Sequence, residues 1–268
     1  MIDRGKHNLL GVGVDAVDYA GAVNRIVAAA REQRPLAVSA LAVHGVMTGV
    51  LDAKHRYRLN AFDLICPDGQ PVRWGLNLLH GAKLNERVYG PQLMLEVCRA
   101  AAEDGLPIFL FGGDDQLLAT LSQNLLAKFP TLQIAGVRSS KFRTLTPPEW
   151  QELMAEVRDS GARITFVGLG CPRQEVFAFE AREGLSMPTL AVGAAFNFHS
   201  GLLPQAPPAM QRWGLEWLYR LVQEPRRLWR RYVFLNPAYV TLLVAQKLGM
   251  RRFDRDALQP PENSVLYG

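Results

Sequence analysis

The feature that most constrains this chain is the regular alternation of short β-branched and aromatic runs with longer helical patterns. Runs rich in Val, Ile, Leu and Phe at 10–14, 36–43, 63–66, 107–111, 132–137, 163–168 and 189–192 predict strands. Several are nearly continuous apolar stretches, as parallel strands covered on both faces must be. Helical spacing fills the intervals at 18–31, 45–59, 71–79, 91–104, 115–129, 147–160 and 173–183. Thr146-Pro147-Pro148-Glu149 carries a start signal: an N-cap Thr, Pro in the first turn and Glu to close the box. The expected fold is α/β, a Rossmann-like parallel sheet with helices on both faces. A composition break near Pro204–Pro208 divides the chain into a core, 1–207, and a basic, aromatic helical C-terminal appendage, 208–268. The core is expected to fold without the appendage.

In such a sheet, ligands bind in the crevice outside the carboxyl ends of the strands. The polar and glycine-rich pieces of this sequence fall at those ends. His44-Gly45 follows the second run, and Pro67-Asp68-Gly69-Gln70 the third. Gly112-Gly113-Asp114-Asp115, then Gly168 through Glu175, then Gly193 through Gly201 follow later ones. Asp68 reads both as a local turn residue and as a carboxylate above the crevice, able to act as general base for a hydroxyl. Gly112 and Gly113 let a backbone approach a phosphate at a helix N-terminus, although Asp114 and Asp115 also read as plain first-turn charges. Arg173 and Gln174 sit where a first helical turn reaches into the crevice. His44 reads equally as a ligand contact and as a hydrogen-bonded rim residue. Cys66, Cys98 and Cys171 are too few and too scattered for a disulfide framework, and fit a reducing compartment. The histidines (His7, His44, His55, His80, His199) show no metal-ligand spacing, so neither a bound metal nor any other cofactor is expected.

Charge is unevenly spread. Between 211 and 255, 10 Lys and Arg accompany 3 Asp and Glu, giving +7 within a chain of net +5. The rest is therefore near neutral, at −2. Aromatic residues are interleaved with this charge: Trp213, Trp217, Trp229 and Tyr232 stand among Arg220, Arg226, Arg227, Arg230 and Arg231. The pattern fits an interfacial helix on an anionic membrane, a nucleic-acid surface, or a helix packed on the core with its charges outward. The N-terminus reads as no signal peptide, and the apolar stretch 232–248 is interrupted by Asn236, Pro237, Gln246 and Lys247, so no spanning helix is expected.

Taken in order, these pieces resemble the WecG/TagA/CpsF glycosyltransferases, glycosyltransferase family 26. The resemblance rests on Pro67-Asp68-Gly69, Glu86-Arg87-Val88-Tyr89-Gly90 and Phe109-Leu-Phe-Gly112-Gly113. It continues through Val167-Gly168-Leu169-Gly170-Cys-Pro172-Arg173-Gln174-Glu175, Val192-Gly193-Ala-Ala-Phe196, Ser200-Gly201 and Ala206-Pro207. It ends on Gly214-Leu-Glu216-Trp217-Leu-Tyr219-Arg220-Leu, Glu224-Pro225-Arg226-Arg227 and Arg231-Tyr232, so that it spans about 36–248.

The resemblance implies an inverting, metal-independent transferase. Such an enzyme moves a sugar from a UDP donor to a polyprenyl-diphosphate-linked sugar at the cytoplasmic face of the inner membrane, as a peripheral protein. By position it makes Asp68 the base and puts Gln174 and Arg87 at the donor, with His44, Gly112, Gly113 and Asn197 as further donor contacts. It gives Arg226, Arg227, Arg230 and Arg231 to the acceptor diphosphate, and Trp213, Trp217, Trp229 and Tyr232 to the anionic membrane. Three departures fall on the rim: Ala42-Val43-His44 where most members carry Thr-x-Asn, Phe196-Asn197 for Phe-Asp, and Gln205-Ala206-Pro207 for Arg-Ala-Pro. The first resembles the GumM-type, xanthan-pathway branch, which implies glucose from UDP-glucose and a β-1,4 linkage in exopolysaccharide synthesis. A hexosaminyl transferase of teichoic acid or other surface polysaccharide is the alternative within the family. A non-catalytic nucleotide- or nucleic-acid-binding protein is the alternative outside it, although nucleic acid leaves the crevice residues idle. Self-association stays open.

Overall fold

A computed structural model describes every residue except Ala257 and Leu258, and every side chain of the helices except those of Arg227, Arg230 and Arg231. Among the described residues, eight strands form two sheets. β1 (Asp3–Leu9) and β2 (Val12–Val17) make an antiparallel hairpin. The other six are β3 (Leu36–Leu41), β4 (Leu64–Pro67), β5 (Ile108–Phe111), β6 (Ile134–Arg138), β7 (Ile164–Val167) and β8 (Pro188–Ala191). They form one parallel sheet in the order β4-β3-β8-β7-β5-β6. Each core strand is followed by helix, as right-handed parallel crossovers require.

Both faces of the sheet are covered. On one side Val38, Leu64, Leu110, Phe166 and Leu190 of the strands pack on the helices Tyr19–Arg31, Gly90–Asp104 and Asp115–Lys128. On the other, Ala37, Leu41 and Ile65 pack against Val43–Leu51 and Gln70–His80. Phe109, Phe111 and Val167 pack there against Pro147–Asp159 and Arg173–Ala181. Alternate residues along each strand thus face opposite helical layers. The Thr146 capping box forms as its sequence requires, with Thr146 N–H donating to Glu149 at 2.8 Å.

Two local expectations are corrected. The run 10–14 is not a strand of the main sheet. Leu10 and Gly11 both take positive φ, 56° and 85°, and form the two-residue turn of the β1–β2 hairpin. The run 45–59 is not one helix. It breaks at Asp52, whose extended backbone ends Val43–Leu51 while its carboxylate accepts from the N–H groups of Lys54 and His55. Asp52 therefore caps a second helix, Ala53–Asn60.

The segment 208–268 is helical over Pro208–Arg212, Glu216–Gln223, Pro225–Arg230 and Asn236–Lys247, with a π-helical turn at Arg231–Leu235. It is joined to the core by packing. Tyr239 and Leu243 are buried in the cluster that holds Leu9, Leu10 and Leu76. The Tyr239 hydroxyl donates to the Pro71 carbonyl at 3.0 Å, and Gln246 accepts from the N–H of Leu10 at 3.0 Å. Among the described residues, no helix is long and apolar enough to cross a membrane.

Candidate active site

The carboxyl ends of the parallel strands open into one cavity of about 750 Å³. The ends of β3, β4, β5, β7 and β8 supply His44, Asp68, Gly113, Gln174 and Asn197 to its wall. The segment 208–268 forms the opposite wall through Glu216, Trp217, Arg220 and Tyr232. The crevice dictated by the sheet is therefore closed by the part of the chain that composition sets apart.

Asp68 stands one residue beyond β4, where Pro67 ends the strand. Its side chain is 16% exposed. Burial pushes its carboxyl up, the Arg87 guanidinium opposes that, Glu216 adds to it, and the result is a pKa of about 6. The N–H of Gly90, the first residue of a 15-residue helix, points at Asp68 Oδ2 from 3.4 Å, and the salt-bridge contact to Arg87 Nη1 is 3.9 Å. Both are long, so the carboxylate is oriented but weakly held. A carboxylate of raised pKa, loosely bonded and facing a cavity, can accept a proton near neutral pH.

Gln174 sits in the first turn of Arg173–Ala181 and is buried. Its amide oxygen accepts from the Gly170 N–H at 3.1 Å, and its amide nitrogen donates to Glu175 Oε1 at 2.9 Å. Glu175 also accepts from the Ser39 hydroxyl at 3.0 Å, so this network ties β3 to the β7 loop. Gly113 lines the cavity, but Gly112 lies beneath it: a Cβ there would meet the backbone of Gly168 at 2.8 Å, and its φ is +121°. Gly112 thus lets two rim loops touch. Asp114 caps the helix Asp115–Lys128 by accepting from Leu117 N–H at 2.8 Å.

The remaining sequence candidates divide. Trp217 and Tyr232 face the cavity, with ring centroids 5.8 Å apart, whereas Trp213 and Trp229 are exposed. Arg226 is exposed and outside the cavity wall, and the side chains of Arg227, Arg230 and Arg231 lie outside the described residues. Among the described side chains, Arg220 and Arg173 join Arg87 in the wall. Sequence reasoning missed Glu216 and Arg220 as site residues, although both stand inside the Gly-Leu-Glu-Trp-Leu-Tyr-Arg motif. Their one-turn spacing on a helix was the available signal. Among the described residues, no group of three His, Cys, Asp or Glu side chains is placed to hold a metal.

A family model described as Glycosyl transferase WecG/TagA/CpsF family matches residues 7–253. The chain belongs to this family. It is a glycosyltransferase of cell-surface polysaccharide synthesis, with a Rossmann-like sheet, and it takes a sugar donor and an acceptor. In the cavity described above, the rim loops of the sheet, the motifs of the resemblance and a perturbed carboxyl meet.

Proposed function

We propose that the chain is a UDP-sugar-dependent inverting transferase that moves glucose onto a polyprenyl-diphosphate-linked sugar, with a β-1,4 linkage. The observation that supports the base chemistry of this reading is Asp68, a half-buried carboxyl of pKa about 6 facing the cavity. In the reaction, Asp68 takes the proton of the acceptor 4-hydroxyl as that oxygen bonds to the anomeric carbon. The bond from that carbon to the UDP oxygen breaks on the opposite face, and the electron pair leaves with UDP. A single displacement inverts the centre, so one base suffices. Negative charge grows on the departing diphosphate, and Arg220 and Arg173 on the wall, with N–H groups of the rim loops, compensate it.

The same reading assigns the outer face of the segment 208–268 to an anionic membrane at the cytoplasmic side. More than half of the exposed large apolar side chains lie between Trp213 and Met250, in the stretch that carries the excess of arginine. Amphipathic segments of that composition lie in the headgroup region.

A panel of UDP-sugars, offered with a short-lipid glucosyl-diphosphate acceptor, tests the reading. Mass spectrometry reports which sugar is added, and NMR of the product reports its configuration. The expected result is one hexose from UDP-glucose with a β anomeric proton. Product from UDP-N-acetylmannosamine instead would move the donor to the hexosaminyl branch. An α product would overturn the single displacement.

A further inference from the structure

The segment 208–268 brings two charged side chains to Asp68, and they have opposite signs. Glu216 opens the helix Glu216–Gln223 and is buried, and Arg220 stands one turn later. Oε2 of Glu216 lies 2.6 Å from Nη2 of Arg87, whereas Oδ1 of Asp68 lies 3.9 Å from Nη1 of the same guanidinium. Arg87 therefore has two carboxylates in reach and makes its short, charge-assisted bond to one of them. Gln211 Oε1 at 3.2 Å and the face of the Tyr89 ring, 4.1 Å from the guanidinium carbon, hold the cation in that position.

We propose that Glu216 is a positioning residue: it holds the Arg87 guanidinium off Asp68 and leaves the Asp68 carboxylate free to take the acceptor proton. The proposal rests on the reading of Asp68 as the base.

The chemistry requires some such device. A carboxylate paired directly with a guanidinium loses one to three units of pKa and is a poor base. Arg87 is buried and adjacent, so an unopposed Arg87 would take Asp68 as its partner. Glu216 competes for the same cation and adds a like charge that disfavours ionised Asp68. The other titratable groups around Asp68 do not compensate. The phenols of Tyr19 and Tyr89 and the thiol of Cys66 are pushed up by burial and stay neutral, and Arg220 acts more weakly than Arg87. The partner residues are 129 apart in sequence, so the base is tuned only when the segment is docked on the core.

Two readouts test this on the full chain: the pH profile of kcat/KM, and the titration of the Asp68 carboxyl followed by carbon-13 NMR without substrate. In Glu216→Gln the released guanidinium turns to Asp68. The acidic limb and the NMR titration both move down by about one unit or more, and kcat at weakly alkaline pH falls several-fold. In the double variant Arg87→Gln, Glu216→Gln neither charge remains and no unpaired cation is buried, so the fold is kept and both readouts return near 6. A Glu216→Gln titration unchanged from the parent overturns the proposal. So does a double variant that titrates far above the parent, because Arg87 would then have been acting on Asp68 unopposed. If Asp68 is not the base, the NMR titration still moves while the activity profile does not, which separates failure of that reading from failure of this one.

Discussion

Replacing Asp68 by Asn should make the protein less active and more stable at once. The carboxyl is raised from an ordinary 3.8 to about 6, mainly by burial. The native state therefore binds this proton more tightly than the unfolded chain. Stability contributed by the protonated form is present below pH about 4 and is lost as pH rises to about 6. Above that, the ionised carboxylate costs the fold up to ~3 kcal/mol, at about 1.4 kcal/mol per unit of pKa. That figure is an upper bound, since the side chain keeps 16% exposure. Asn has the same shape, carries no charge, and its amide oxygen still accepts from Gly90 N–H. Urea unfolding of both proteins across pH measures the difference. It should be near zero in acid and reach one to three kcal/mol in favour of Asn above pH about 6. Turnover should fall by roughly 10²–10⁴, the usual worth of a general base. The parent's kcat/KM should rise with pH through an acidic limb near 6. An Asn variant that is active, or one no more stable than the parent at weakly alkaline pH, would refute the reasoning.

Other outcomes follow from the packing. Gly112→Ala should cost at least ~1–3 kcal/mol, because a side chain at φ +121° is strained and its Cβ would enter the Gly168 backbone; an unchanged melting temperature would remove Gly112 from that role. Cutting the chain after Pro207 takes Tyr239 and Leu243 out of the cluster around Leu9 and Leu76. It should lower the melting temperature by about 10 °C or more, against the separable core that composition suggests. A cut protein that melts like the parent would show that this packing is dispensable.

How much of this was legible in the sequence differs by level. The parallel strands β3, β4, β5, β7 and β8 were readable because each is buried on both faces and so keeps an apolar run whatever its neighbours, whereas the edge strand β6 is only half-buried. The hairpin was not, because its turn uses Leu10, a buried apolar residue at φ 56°, where turn chemistry normally shows Asn or Gly. Its place is secured from afar, by Gln246 bonding the Leu10 N–H. The break at Asp52 was hidden for a related reason: an Asp inside an amphipathic pattern reads as a surface residue until its carboxylate is seen to cap. The place of Asp68 on the cavity wall was legible from its position at a strand end. Its charged surroundings were not. Arg87, assigned to the donor by resemblance, and Glu216 stand in separate motifs of the sequence, and only the docking of the segment 208–268 brings them within 2.6 Å. The same holds for Trp217 and Tyr232, which composition groups with Trp213 and Trp229 but the fold turns toward the cavity.

A second buried carboxyl on the same rim, Glu175, must be distinguished from Asp68, because burial raises both. Their surroundings give them different work. Glu175 is almost fully buried, and Oε1 already accepts from Ser39 and Gln174 at 3.0 and 2.9 Å. A proton on Oε1 would cost bonds that fix Gln174 in the wall, and Oε2 is itself buried, away from an acceptor hydroxyl. Among the described residues the Asp68 carboxylate has no hydrogen-bond contact shorter than 3.4 Å, and it faces Arg87 and Arg220, cations that favour its ionised form, beside Glu216, which opposes it. Around Glu175 the main influences after burial are hydrogen bonds, from Gln174 and Ser39 among others. Two carboxyls separated in this way take different roles, one moving a proton and one bracing. Glu175→Gln copies the neutral acid in shape and keeps an oxygen for Ser39 and Gln174, so turnover should stay within about threefold of the parent, well short of the loss a missing base brings. Glu175→Ala leaves two buried donors without an acceptor and should cost roughly 2–6 kcal/mol, seen in urea unfolding. A Gln variant as inactive as Asp68→Asn, on a fold as stable as the parent, would give the proton transfer to Glu175 and the brace to Asp68.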